Sequence, residues 1–157
     1  MAAARSVGRW ESLGGEWAAG GGGGRGVTVP GAVAGAVGGV RSVDGVIYNA
    51  GTYDPMATTE WDGDAALLMC DVNFIGAMRV LGGIVPQFVA AGQGDITLVG
   101  SLAGYRGLPK SIGYGASKAA LVSLAETMRY DLRDSGVTLR LVNPGFIKTR
   151  LTDKNAF

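Results

Sequence analysis

The sequence predicts an α/β protein built on a doubly wound parallel sheet. Three observations carry that expectation. The runs Gly45–Tyr48 ("GVIY"), Gly94–Ser101 ("GDITLVGS") and Val137–Val142 ("VTLRLV") are short and nearly all apolar, as strands buried by helices are. Long helical patterns separate them, so strands and helices alternate. Each run stops at a polar or glycine-bearing end: Asn49-Ala50-Gly51, Ser101 and Asn143-Pro144-Gly145.

Taken in order, Trp10, Leu13 and Trp17 stand at helical spacing, with Arg9, Glu11 and Glu16 off that stripe, which predicts a short amphipathic helix. Gly20–Gly24 follows as a loop, because no strand precedes it to make a phosphate cradle. Gly26–Val29 is β-branched and ends at Pro30, which predicts a strand, and Ala32–Val40 a brief, glycine-weakened helix. A long helix is expected over Thr59–Val89, with Leu67, Leu68, Val72, Ile75 and Val80 as its apolar face and Gly82, Gly83 and Pro86 bending it. A second is expected over Ser111–Asp134, closed by Gly136 as a C-cap.

With 157 residues the chain has room for one domain, 1–157, of which 1–26 is glycine-rich and poorly defined. Fourteen basic against 13 acidic residues give a net charge of +1, which offers nothing to nucleic acid or to an anionic membrane. There is no histidine, so histidine-based triads and most transition-metal sites are excluded, and no metal is expected. The single cysteine, Cys70, allows no intrachain disulfide and fits a reducing, cytoplasmic setting. "MAAARSVGRW" has no apolar core of a signal peptide, and "VTVPGAVAGAVGGV", taken as the longest weakly apolar run, is too short to span a bilayer.

In parallel sheets of this kind ligands gather beyond the carboxyl ends of the strands. "IGYGASKAAL" places Tyr114 and Lys118 four residues apart on a helix that starts near one such end. Two readings stand side by side. The pair is a surface ladder, as neighbours on a helix face often are. Or the lysine ammonium lowers the phenol's pKa and makes a proton donor and acceptor usable near neutrality. Ser101 and Asn73 carry the same duality: a strand end and a helix-internal hydrogen bond, or members of one site. Asn143-Pro144 can be a plain turn, and Thr149 a helix N-cap.

The order and spacing of these pieces resemble the short-chain dehydrogenase/reductase family: Asn49-Ala50-Gly51 after the middle strand, Asn73 in "CDVNFIG", Ser101 thirteen residues before Tyr114, Lys118 four further on, then "NPGFIKT". The resemblance implies a Rossmann-like fold and hydride transfer between a nicotinamide cofactor and a small-molecule carbonyl or alcohol. It casts Tyr114 as acid/base, Lys118 as the group that depresses its pKa and holds the nicotinamide ribose, Ser101 as hydrogen-bond donor to the substrate oxygen, and Asn73 as holder of a relay water. It places Asn49, Ala50 and Gly51 where the cofactor approaches the sheet, and Pro144, Gly145, Ile147 and Thr149 along the nicotinamide and phosphates. Arg5, in "AARSVGRWESL", matches the arginine that faces an adenosine 2′-phosphate, which favours NADP(H) over NAD(H).

The chain departs from the family at both ends. The strand–glycine turn–helix that normally carries the pyrophosphate is not found, so the first βα unit is expected to be lacking. "VPGAV" resembles the third-strand end, with Ala32 in place of the usual aspartate, and the substrate lid would come after Phe157. The resemblance thus implies either an oxidoreductase or a non-catalytic remnant or truncated fragment that keeps the sheet and its helix-packing surfaces. A chain of this extent alone is expected to hold NADP(H) weakly. The family habit of pairing the two long helices across a two-fold axis implies a homodimer or homotetramer.

Overall fold

The computed structural model describes residues 2–3, 26–39 and 43–147. The expected Trp10–Trp17 helix, the Gly20–Gly24 loop, Arg5 and Thr149 lie outside them. Four parallel strands lie in the order β1 (Ala2–Ala3), β2 (Gly45–Tyr48), β3 (Gly94–Val99) and β4 (Val137–Val142). Ala2 and Ala3 sit beside Ile47 and Tyr48, β2 pairs with β3 from Gly45↔Asp95 to Tyr48↔Leu98, and β3 with β4 from Gly94↔Val137 to Val99↔Val142.

The approach to β2 corrects the expectation for Gly26–Val29. These residues form no strand; Gly26–Thr28 is a 3-10 turn leading into helix α1 (Pro30–Gly39). Proline at the first helical position loses an N–H that has no intrahelical partner anyway, and its fixed φ suits the helix. The carbonyl of Val29 accepts from both Ala32 N and Val33 N, at 3.1 and 3.2 Å. The Val27 side chain packs against the core, and its carbonyl takes a 3.0 Å hydrogen bond from Arg79. Ala32 therefore stands in the first turn of a helix and not at a strand end. The β-branched pattern was real, but its apolar residues are spent on a helix approach.

The long helix starts later than its apolar pattern suggests. Thr58–Glu60 is a 3-10 turn, and Asp62 caps α2 (Gly63–Cys70) by accepting from Ala65 N at 3.0 Å, the side-chain cap that orphan N–H groups require. Its irregularity falls at a π turn over Asp71–Ile75, where Gly76 N reaches back to Asp71 O, and then α3 (Gly76–Ala91) runs on through Gly82, Gly83 and Pro86. Pro86 deletes one backbone bond to Gly82, and both residues face outward, so the released carbonyl stays solvated. Gly92, at φ 65°, ends α3 in the left-handed conformation. Helix α4 (Ile112–Asp131) ends three residues short of Asp134, and Gly136, also left-handed at φ 75°, serves the turn into β4 and not the helix end.

The core lies on one face of the sheet. Val46, Tyr48, Ile96 and Leu98 point into it and meet Val33 and Val37 of α1, Ala77, Val80, Leu81, Ile84 and Phe88 of α3, and Leu121 and Ala125 of α4. Ile47, Thr97, Arg140 and Val142 alternate onto the other face and are exposed or half-buried. Strands added in one direction through right-handed crossovers keep their helices on one side, so the described helices form a single layer where apolar strands alone suggest two. Tyr48 is buried at the centre, its hydroxyl donating to Val72 O at 2.5 Å, and burial pushes its phenol well up.

The continuous helix Gly63–Ala91 is, by length and composition, long and apolar enough to cross a membrane, unlike the stretch taken as the longest apolar run. Ala66, Met69, Val72, Asn73, Ala77, Val80, Leu81 and Ile84 bury one side of it, and the Asp71–Arg79 ion pair (2.7 Å) lies along it. Leu67, Leu68, Ile75 and Met78 stay exposed on the other side.

Candidate active site

The carboxyl ends of β2 and β3, the π turn and the first two turns of α4 converge on one place. Asn73 is fully buried on the π turn. Its Oδ1 accepts from Thr52 N at 2.7 Å, and its Nδ2 donates to Thr52 O and to Ser117 Oγ, both at 3.0 Å. Ser117 Oγ donates in turn to Tyr114 O at 2.8 Å. One amide thus ties the loop after β2 to the helix that carries Tyr114 and Lys118. A π turn is the local device that swings a helix residue out of its regular face, and such turns gather at working sites.

Lys118 is buried, at 4% exposure. Its Nζ donates to Val99 O at 2.8 Å, at the end of β3, and lies 5.7 Å from the centroid of the Tyr114 ring. Burial lowers its pKa to about 8, because an ammonium loses hydration there. Gly51 stands beside it: a Cβ there would lie 3.9 Å from Nζ and 3.6 Å from Asn73 Oδ1. Asn49 next to it is exposed, while Ala50 packs into the main core.

Tyr114 is half-buried, packed edge-on against Tyr53 with ring centroids 5.0 Å apart. Burial raises its pKa, and a hydrogen bond with the Ser101 side chain pulls the other way. The expectation that Lys118 sets the phenol's acidity is corrected here. Desolvation dominates, and the ammonium is committed to a strand carbonyl and not to the phenol oxygen. Ser101 also caps the 3-10 turn Leu102–Gly104, its Oγ accepting from Ala103 N at 3.2 Å.

The structure therefore brings together Gly51, Asn73, Ser101, Tyr114 and Lys118. Pro144 and Gly145 approach from the end of β4: Pro144 O accepts from Leu102 N at 3.3 Å, and a Cβ on Gly145 would lie 3.5 Å from Leu102 Cδ1. Ile147 is exposed beyond them. Sequence reasoning missed Ser117, which bridges Asn73 to the backbone of Tyr114, and Tyr53, which fixes the Tyr114 ring. A hydroxyl immediately before Lys118 in an alanine-rich helix was the available signal for the first; the second depends on a contact across 61 residues of sequence.

The donor set suits part of a nicotinamide cofactor. A buried ammonium and a phenol lie on one face of α4, with glycine opposite, so a vicinal ribose diol would meet donors and no obstructing side chain. The residues expected at the phosphates, Arg5 and Thr149, are not among those described. Among the described residues no cluster of His, Cys, Asp and Glu could hold a metal ion.

Comparison with known proteins agrees with this arrangement. Residues 27–156 match the family model of the short chain dehydrogenases. The chain is 37% identical over 115 residues to an oxidoreductase of Myxococcus xanthus, covering 73% of this chain and 46% of that protein. It is 33% identical over 107 residues to a 3-alpha-(or 20-beta)-hydroxysteroid dehydrogenase of Mycobacterium bovis, covering 68% and 39%. The solved structure of ElxO with NADP bound superposes with a TM-score of 0.76 at 26% identity, covering 82% of this chain and 54% of that one. The chain spans about half the length of the curated relatives it matches, and the likeness supports the Rossmann-like α/β fold expected from the strand pattern.

Proposed function

We propose that this chain, which belongs to the short-chain dehydrogenase/reductase family, carries the reaction half of an oxidoreductase acting on a carbonyl or alcohol. The observation that supports this best is the meeting of the Ser101 side chain, just past the end of β3, with Tyr114 beside buried Lys118 on α4. The nicotinamide, when bound, supplies the hydride, which no side chain can. Ser101 and Tyr114 donate hydrogen bonds to the substrate oxygen, and Tyr114 gives or takes its proton as charge grows there. Lys118 holds the ribose hydroxyls and, with a pKa of about 8, exchanges protons near neutrality. Asn73 acts by holding the loop at Thr52 and, through Ser117, the first turn of α4; both Nδ2 protons and one lone pair of Oδ1 are taken by protein groups, which leaves the second lone pair of Oδ1 as the side-chain position for a relay water.

NADP(H) is the cofactor we favour, on the Arg5 reading and on the NADP carried by the ElxO structure. We also infer a homodimer or homotetramer, because Leu67, Leu68, Ile75 and Met78 leave an apolar stripe on α2 and α3 that a second copy can cover. A non-catalytic remnant remains the competing reading. Following NADPH and NADH oxidation at 340 nm with 2,3-butanedione and ethyl benzoylformate separates them. Turnover that vanishes in Tyr114→Phe supports the enzyme; turnover that survives in Tyr114→Phe overturns the assigned roles, and no turnover beside undetectable NADPH binding by nucleotide fluorescence supports the remnant.

A further inference from the structure

The ends of β3 and β4 are joined by a contact that the reaction reading leaves unused. Asn143, the first residue after β4, donates from Nδ2 to the hydroxyl oxygen of Tyr105 at 2.8 Å. Tyr105 closes the 3-10 turn Leu102–Gly104 that Ser101 caps, four residues beyond Ser101. The same two segments are joined by Leu102 N donating to Pro144 O, and Leu102 Cδ1 stands close to Gly145. Inward, Asn143 Oδ1 is buried without a hydrogen-bond partner, against Gly100, where any Cβ would strike it at 2.0 Å. Asn143 thus packs its amide oxygen into a slot that only glycine leaves open and presents Nδ2 to Tyr105. Tyr105 itself is 61% exposed, so burial of its ring does not fix the turn.

We propose that Asn143 and Tyr105 are a clasp that positions Ser101: the amide–phenol bond fastens the turn after β3 to the end of β4 and thereby sets where the Ser101 hydroxyl stands relative to Tyr114. Both act through another residue and touch no reacting atom. The role in catalysis rests on the oxidoreductase reading; the anchoring of the turn does not. The segment beyond the clasp, Arg106 to Lys110, has no helix or strand and ends at Lys110 in a left-handed conformation (φ 59°), so the clasp and the turn are what restrain its leading end.

Two readouts on the full chain test this. Trypsin reports the anchoring directly, since Arg106 directly follows Tyr105 and is exposed. Tyr105→Phe, which removes only the hydroxyl, and Asn143→Ala are each expected to raise the rate of the cut after Arg106 about three- to tenfold, and the double variant no further, because the two groups make one bond. Steady-state kinetics with NADPH and ethyl benzoylformate reports the positioning. The same variants are expected to lower kcat about tenfold with KM for the ketoester changed less than twofold, as when an interaction made in the transition state is displaced. Thermal unfolding that remains within two degrees of wild type in Tyr105→Phe separates this from a general loss of structure. Nicking of both single variants at the wild-type rate overturns the clasp. Faster nicking with kcat unchanged overturns its positioning of Ser101. If wild type turns over no carbonyl while nicking responds as expected, the oxidoreductase reading fails and the clasp as anchor of the turn stands.

Discussion

The two ends of the sheet are built on opposite principles. At the amino ends of β3 and β4 the chain turns on left-handed or near-extended glycines: Gly92, Gly94 and Gly136. A Cβ on Gly136 would stand 2.0 Å from Gly92 O, and one on Gly94 would strike the Phe88 ring. The charged pair there, Arg140 with Asp95, is exposed on both sides. The glycines at that end serve close backbone packing. At the carboxyl ends, polar groups are buried instead. Asn73, Ser117 and Lys118 have almost no exposure, and Gly51 leaves room beside an ammonium. Burying an ammonium costs stability, and among the described residues the one buried lysine stands where Tyr114 and Ser101 converge. The difference teaches where to look for chemistry in a sheet of this kind: glycines at the amino ends report turns, and buried polar groups at the carboxyl ends report a site.

If that contrast holds, changes at the two ends separate activity from stability. The largest effect is expected for Tyr114→Phe: a loss of about 10²–10⁴-fold in kcat from removal of the proton donor, with the urea midpoint unchanged, because the ring keeps its edge contact with Tyr53. Next comes Asn73→Ala, the position where the contrast should blur. It leaves Thr52 N, Thr52 O and Ser117 Oγ short of partners, and is expected to cost about 2–4 kcal/mol in urea unfolding together with activity per folded molecule.

Gly136→Ala at the opposite end is expected to cost about 1–2 kcal/mol for the left-handed backbone alone, more if the chain cannot relieve the approach to Gly92 O. The kcat of the folded fraction should stay as it was; a fall in kcat matching that of Asn73→Ala would break the comparison. The smallest effect sharpens it. The folded-state pKa of Lys118, about 8, lies below its unfolded value near 10.5. The unfolded chain therefore binds more protons between those values, and stability rises with pH across that window. From pH 7.5 to 9.5 the wild type should gain about 1–2 kcal/mol relative to Lys118→Met, read by urea titration at both values. Above pH 10 the raised phenols of Tyr48 and Tyr114 act in the opposite direction, so the window is bounded on both sides.

The sequence by itself determined the three main strands, their parallel order and the candidates at their carboxyl ends. Continuous apolar runs between helical patterns admit few other arrangements, and the spacing of Ser101, Tyr114 and Lys118 is written in one dimension. Tertiary structure decided the rest. Gly26–Val29 has strand composition, yet Pro30 at a helix start and the pull of Arg79 on Val27 O make it a turn. The break in the long helix fell at Asp71–Ile75 and not at its glycines and proline, because helix propensity does not register where a buried amide must reach a neighbouring loop. The pKa of Tyr114 went up and not down, since desolvation depends on how many atoms surround a group and not on the charge four residues away. Ser117, Tyr53 and the Asn143–Tyr105 bond make contacts between distant segments; beyond a hydroxyl beside Lys118 the local pattern holds no trace of them, because it records which face a residue takes and not what the fold sets opposite it.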